Sequence, residues 1–156
     1  MIVKLVFQNA WLLFIAVTCA NAATWWSRGK TQMRERPELE QGYRALIRGL
    51  LIYGNLPWLV MGAGIMTGRV PTVFHYFNPR NGPFVIALYV TIVGLWVATV
   101  RWVFFRNGAE ELIRHPGLLN VPIQEPWKVK ALLVLMLAGG VAGLVMMIFG
   151  NIQFPE

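Results

Sequence analysis

The chain has 156 residues, of which 56% are hydrophobic, and its mean hydropathy is +0.53. Because the apolar residues occur in long blocks, this composition excludes an ordinary soluble domain of the same length and predicts a polytopic membrane protein. The formal net charge is +7, but the 14 basic residues are spread between the apolar blocks, as membrane orientation requires, so the charge does not indicate nucleic-acid binding. The one cysteine, Cys19, excludes an internal disulfide and any reaction that needs a cysteine pair.

The first apolar block covers residues 2–26 and has two interpretations. Ala20-Asn21-Ala22, at the end of an apolar run, has the small-residue pattern of a signal-peptide cleavage site. Trp25-Trp26, followed at once by basic residues, is instead typical of a membrane helix that ends in the headgroup region. We favour the second interpretation and expect a first transmembrane helix over residues 3–26.

Residues 37–68 are predicted to form an amphipathic helix that continues without a break into a second span. Pro37 suits the first helical position. Leu39, Tyr43 and Ile47 fall on one stripe of this helix and charged residues fall on the other, so we expect its first part to lie at the membrane interface. The next 20 residues, 49–68, carry no charge, and their helical length of about 30 Å matches the hydrocarbon core of a bilayer.

The second span contains a polar residue, Asn55, and a proline, Pro57, near its middle. Proline removes one helical hydrogen bond and is expected to kink the helix. The Asn55 amide is predicted to satisfy a carbonyl group freed by the kink, or to hold neighbouring helices together. Its alternative role is to line a passage through the membrane.

Residues 69–82 form a short loop after the second span, with turn signals at Asn78-Pro79 and Asn81-Gly82. The loop groups polar and aromatic side chains, which are suited to contact a small molecule or a partner chain. Aromatic residues at a membrane interface are also ordinary anchors. The candidates for a contact are Arg69, His75, Tyr76 and Arg80.

The third span is predicted over residues 83–105. It carries one charged residue, Arg101, about one helical turn from its end. At that depth the long side chain can place its guanidinium group among the lipid headgroups. The arginine is therefore compatible with a membrane span.

A short helix is predicted between the third and fourth spans. Asn107 and Glu110 have the spacing of a reciprocal helix cap, which predicts an interfacial helix over residues 109–115. The fourth span follows over residues 127–150, where glycines again interrupt the apolar sequence.

Basic residues are distributed unevenly between the two sides of the predicted membrane. Eleven of the 14 lie in the loops 27–48 and 106–126 or directly beside them. The positive-inside rule therefore predicts that both loops are cytoplasmic and both termini are outside, in a plasma membrane or a bacterial inner membrane. Anionic lipid headgroups or an acidic partner are expected to bind this cytoplasmic face, and the alternative is that its basic residues serve orientation alone. The arginines assigned to the face are Arg34, Arg36, Arg44, Arg48, Arg106 and Arg114.

Glycines recur within the spans at spacings that suit helix packing. A glycine lets a second helix approach closely, and in a membrane such close contacts replace the hydrophobic effect as the force between helices. The glycines predicted to pack in this way are Gly54, Gly64, Gly68, Gly94, Gly139 and Gly143.

No catalytic, cofactor or metal site is predicted. No acidic residue lies inside a span, so the carboxylate that coupled proton or sodium exchange requires is missing. A Ser-His-Asp set, a phosphate-binding glycine loop and an HExxH pair are missing as well. His75 and His115 fall on opposite sides of the predicted membrane, so they cannot share a metal ion or a haem, and we expect both on loop surfaces.

These patterns predict an all-α integral membrane protein in which residues 1–156 form a single domain. Four transmembrane helices are expected in an antiparallel bundle, with short amphipathic helices at the cytoplasmic interface. The function that we favour is non-enzymatic association, either as an accessory subunit of a membrane complex or as a homo-oligomer. The alternatives are an oligomeric channel or uncoupled facilitator lined by the kinked second span, and a lipid-binding or lipid-modifying protein that uses the basic face.

Overall fold

The computed structural model describes residues 6–119 and 123–150. Residues 3–5 of the first predicted span and residues 120–122 of the second basic loop therefore lie outside the described residues. Within them the chain is helical and has no strand, and four helices are long and apolar enough to cross a membrane, which confirms the all-α class. The helices are α1 (Ala10–Glu35), α2 (Glu40–Met66), α3 (Pro83–Phe105), α4 (Gly108–Arg114) and α5 (Pro126–Phe149), with 3-10 turns at Pro37–Leu39, Val73–Phe77 and Pro79–Asn81.

Helix α1 continues past the predicted end of the first span, through the tryptophan pair, to Glu35. Most of the first basic loop is thus helical. The helix ends at Arg36, whose backbone has φ −135° and ψ 81°. Since Arg36 precedes Pro37, the proline ring disfavours the α conformation at Arg36, which is consistent with the end of the helix there.

Helices α1 and α2 pack against each other along their length in opposite directions. A Cβ atom added to Gly29 would lie 2.8 Å from the Tyr43 ring, and one added to Gly62 would lie 2.7 Å from the Trp11 ring. Midway, Gly54 faces Thr18. Early residues of α1 therefore meet late residues of α2, and the pair is an antiparallel helical hairpin in which glycines on one helix receive side chains of the other.

Helices α3 and α5 make a second pair. A Cβ atom on Gly140 would lie 2.6 Å from the Trp96 ring, and the Tyr89 hydroxyl lies 3.5 Å from the sulfur of Met147. Near the other end of α3, Val103 shares a buried cluster with Val129 of α5. These contacts also run in opposite directions along the two helices.

The two hairpins meet in clusters at their ends. We call the end that holds residues 28–48 and 106–118 the basic end, and the end that holds residues 67–82 the opposite end. At the basic end Met33, Leu39, Tyr43 and Leu118 form one buried cluster. At the opposite end the buried cluster consists of Met61, Val70, Tyr76, Val85 and Leu88.

The amphipathic stripe at the start of α2 is present, but it packs against the chain itself. Leu39, Tyr43 and Ile47 are all buried, while Arg44 and Arg48 on the other side are exposed. The cluster around Leu39 and Tyr43 includes a residue 75 positions beyond Tyr43, Leu118 (118 − 43 = 75). The apolar face that we expected at the membrane interface is therefore largely covered by protein.

Helix α4 forms where a short helix was expected, but the predicted capping by Asn107 is wrong. Asn107 has a left-handed backbone, with φ 55°, and its side chain makes no capping hydrogen bond. The next residue, Gly108, lies so close to Trp102 that an added Cβ atom would be 2.5 Å from the indole ring. The left-handed backbone at Asn107 brings Gly108 against this ring. Asparagine is among the residues that best tolerate the left-handed region.

Candidate functional site

The most completely built polar site lies at the basic end. We call it the basic-end junction and define it as Gly42, Tyr43, Glu111, His115 and Pro116. The first turn of α2 supplies Gly42 and Tyr43, and the segment that leaves α4 supplies His115 and Pro116. Gly117 follows in this segment with φ 88°, a left-handed backbone conformation that glycine adopts without strain.

Tyr43 is the anchor of the junction. Its side chain is fully buried, and its hydroxyl group donates a 2.7 Å hydrogen bond to the carbonyl oxygen of Pro116. The rings of Tyr43 and His115 pack edge to face, with 4.7 Å between the ring centroids and 89° between the ring planes. Such edge-to-face pairs add to the stabilisation from burial alone.

His115, which we expected on a loop surface, is instead 2% exposed. Its Nδ1 atom lies 2.7 Å from the backbone oxygen of Glu111. A carbonyl oxygen can only accept, so Nδ1 carries the proton and donates it. The other edge of the imidazole, with Nε2 and Cε1, lies against Gly42, and a Cβ atom on Gly42 would overlap it. Glycine is therefore required at position 42 for His115 to occupy its place.

A cavity of about 610 Å³ opens beside the junction. Its lining combines both signs of charge with polar and apolar groups: Glu38, Leu39, Gln41, Gly42, Ala45, Glu111, Arg114 and His115. Arg114 and Glu111 approach to 3.9 Å and so partly neutralise each other. Beside the histidine the lining offers carboxylate, guanidinium and amide groups, which can make charged and hydrogen-bonding contacts with a ligand.

The six arginines assigned to the cytoplasmic face are all exposed at the basic end. Arg44 pairs with Glu40 at 2.7 Å and also lies over the Trp26 ring, 5.3 Å from its centroid. Arg114 has the partner Glu111. In the described part of the chain the other four, Arg34, Arg36, Arg48 and Arg106, have no carboxylate within 4.0 Å. Their charge is available to an anion outside the protomer.

The opposite end separates the four loop candidates. Arg69 and Arg80 are exposed, and His75 is half-buried with Nδ1 3.1 Å from the Thr72 hydroxyl. Tyr76 points inward, where its hydroxyl donates a 2.9 Å hydrogen bond to the Met61 carbonyl. Burial raises the pKa of Tyr76 to about 12, so the hydroxyl stays protonated and keeps donating at physiological pH.

Asn55 is 9% exposed, and its Nδ2 donates a 2.8 Å hydrogen bond to the backbone oxygen of Leu51. The carbonyl that loses its donor because of Pro57 belongs to Tyr53, four residues before the proline. The expectation that Asn55 would satisfy the freed carbonyl is therefore not met. Its Oδ1 atom is buried and, among the described residues, has no hydrogen-bond partner.

No group of three or more His, Cys, Asp or Glu side chains within residues 6–119 and 123–150 is placed to hold a metal ion. No protein-family model, no curated protein and no solved structure matches the chain. The function of this protein must therefore follow from its own contacts and open surfaces.

The six predicted packing glycines fall into two groups. Gly54 faces Thr18, and Gly64 faces Tyr76 and Phe84. Gly68 has φ +69° just beyond the end of α2, a position at which left-handed glycine commonly follows a helix. A Cβ atom added to Gly68 would have no heavy atom within 4 Å beyond the neighbouring backbone, and the same holds for the other three, Gly94, Gly139 and Gly143.

Close packing also occurs at glycines that sequence reasoning did not select. Gly29, Gly42, Gly62 and Gly140 each receive an aromatic ring from elsewhere in the chain. Spacing alone does not distinguish them from the open glycines. The signal is the facing ring, and its position depends on the tertiary structure.

Proposed function

We propose that this is a non-enzymatic integral membrane protein that acts by association with other membrane chains, as a homo-oligomer or as an accessory subunit of a larger complex. In this proposal α1, α2, α3 and α5 cross the membrane as an antiparallel bundle, in a plasma membrane or a bacterial inner membrane. The observation that carries the proposal is the open glycine surface on α5. The length and apolar character of the four helices support insertion.

The distribution of charge supports an orientation. The basic end gathers the exposed arginines of both loops, and the positive-inside rule assigns such an end to the cytoplasm. Both termini would then be outside. Anionic headgroups of the cytoplasmic leaflet are the natural counterions for the four arginines that lack a carboxylate partner.

The open surface of α5 consists of Leu132, Met136, Gly139, Gly143 and Met146, and we call it the glycine face. Gly139 and Gly143 are four residues apart and so lie one turn apart on the same side of the helix. Nothing in the described chain fills the space above either of them. The residues around them project outward, since Met136 is 65% exposed and Met146 is 67% exposed. A cleft of this shape lets a second helix approach α5 closely.

Gly139→Leu combined with Gly143→Leu is expected to weaken association about tenfold or more, because filling a close helix contact with side chains costs about 1–3 kcal/mol. The thermal stability of the protomer should not fall, since an added Cβ atom at either glycine meets nothing within 4 Å and leucine favours the helix more than glycine does. The measurement is the mass and composition of the particle extracted in a mild detergent or in polymer discs. A matched control is Val134→Leu with Val145→Leu, at exposed positions of α5 about 150° around the helix from the glycine face.

The extracted particle also distinguishes the two forms of association. A stoichiometric foreign chain indicates an accessory subunit, and a clean multiple of 17.7 kDa indicates a homo-oligomer. A particle that contains a single protomer and no other chain contradicts the proposal. So does an unchanged particle in the double leucine variant.

A second candidate function, an oligomeric channel or uncoupled facilitator, is favoured by the unpartnered Oδ1 of Asn55. A buried acceptor without a donor is a suitable contact for a polar solute or water that crosses beside α2. We expect uncoupled flux into proteoliposomes to fall in Asn55→Leu, which keeps the size of the side chain and removes the amide. Vesicles that stay tight with the wild-type protein at high protein density reject this function.

A further inference from the structure

A groove of about 580 Å³ runs between α3 and α5. Its walls are apolar, and they are formed by Val93, Trp96, Val97, Val100, Leu137 and Val141. Toward the basic end the groove is completed by Phe105 and by one charged residue, Arg101. From position 93 to position 105 it extends along about 18 Å of helix, slightly more than the depth of one leaflet of hydrocarbon.

Arg101 is the unusual member of this lining. Within residues 6–119 and 123–150 no carboxylate lies within 4.0 Å of it, and the groove itself contains no acidic residue. The guanidinium belongs to a residue four positions before the end of α3, about 6 Å along the helix axis. A cation at the boundary of the hydrocarbon region requires a counterion, and the planar guanidinium binds phosphate oxygens in pairs.

We propose that this groove binds one anionic phospholipid of the leaflet at the basic end. Its phosphate group contacts Arg101, and one of its acyl chains lies along the valines and Trp96. The charge selects an anionic headgroup, because the phosphate of a zwitterionic lipid already has an ammonium group as its neighbour. The inference rests on the proposed membrane insertion.

The lipid groove is separate from the glycine face. Leu137 in the groove and Gly139 on the glycine face are two residues apart, which places them about 200° apart around α5. Lipid binding and association therefore use opposite sides of the same helix. Each of them can fail in an experiment without the other.

Native mass spectrometry of the detergent-extracted protein, after incubation with phosphatidylglycerol or phosphatidylcholine, tests the proposal. We expect one phosphatidylglycerol per protomer to survive, and Arg101→Gln to lower its retention about tenfold. Lys128→Gln removes one positive charge from the basic end at a side chain that already pairs with Glu125 at 2.9 Å and does not line the groove, so it should leave retention unchanged. Val97→Trp keeps Arg101 but fills the groove, and it should lower retention as strongly as Arg101→Gln does.

Three results would overturn the proposal. Equal retention of the two lipids would show that the charge of Arg101 does not select the lipid. An equal loss in Lys128→Gln would show that the basic end attracts anionic lipid only in a general way. A dimer that Val97→Trp dissociates, with no lipid retained by the wild type, would show that a second copy covers the groove. The variant that combines Gly139→Leu with Gly143→Leu must still retain the lipid, whatever its particle mass.

Discussion

Gly42→Ala is expected to destabilise the protein by about 1–3 kcal/mol, the usual cost of forcing an extra group into a packed core. The added methyl group would overlap the imidazole of His115, which is buried and held by its bond to the Glu111 carbonyl. On an open helix surface the same change stabilises by up to about 1 kcal/mol. Gly49→Ala is therefore a matched control with the opposite sign, because the nearest atom to its added Cβ is 4.0 Å away. Unfolding in a mild detergent measures both variants.

A double-mutant cycle attributes the effect of Gly42→Ala to His115. In a His115→Ala background the ring that the methyl group would strike is gone, so Gly42→Ala should lose most of its cost there. Additive effects of the two changes would contradict the contact. They would mean that the added methyl group is accommodated without a clash with the imidazole, or that the junction is not formed in solution.

Tyr43→Ala is expected to have the largest effect of any single truncation at the basic end. The side chain is fully buried among Met33, Leu39 and Leu118, and replacing a buried aromatic residue by alanine usually costs about 3–5 kcal/mol. Tyr43→Phe keeps the ring and loses only the hydrogen bond to Pro116, so it should cost about 1 kcal/mol. Similar losses in the two variants would contradict the packing at this position.

Hydrogen exchange shows where the damage from Tyr43→Ala occurs. Exchange should rise in residues 108–119, which the ring holds against α2, and should stay unchanged in the middle of α3. A uniform rise over the whole chain would mean that the variant unfolds globally instead of opening the junction. In that case Tyr43→Phe, with its smaller perturbation, gives the local measurement.

The long helices could be predicted from the sequence because charge-free runs of this length have few alternatives. Helix α3 occupies the residues where the third span was expected, 83–105. The stripe of Leu39, Tyr43 and Ile47 was also evident, because helical periodicity is local information. What periodicity leaves open is the surface that a stripe meets. Here the stripe contacts Leu118 and Pro116 as well as α1. The prediction that it lies at the membrane interface therefore missed that other parts of the chain cover it.

The basic-end junction could not be predicted, because its parts are distant in the sequence and ordinary in type. His115, beside Pro116-Gly117, has the local composition of a surface loop. Its burial depends on Tyr43 and on the missing side chain at Gly42. Asn107 is a related case: its spacing to Glu110 fits a cap, but the packing of Gly108 on Trp102 imposes another backbone conformation.

The hydrogen bond from Tyr43 to Pro116 joins residues 73 positions apart. A chain that leaves the ribosome from its N-terminus therefore completes α1 and α2 well before the acceptor of this bond has been synthesised. During that interval Leu39 and Tyr43 lack the cover that Leu118 and its neighbours later provide. Closure of the basic end is thus a late step in biogenesis. If the protein is inserted in a membrane as we propose, its nascent first hairpin presents to chaperones and insertion machinery an apolar stripe that the finished protein conceals.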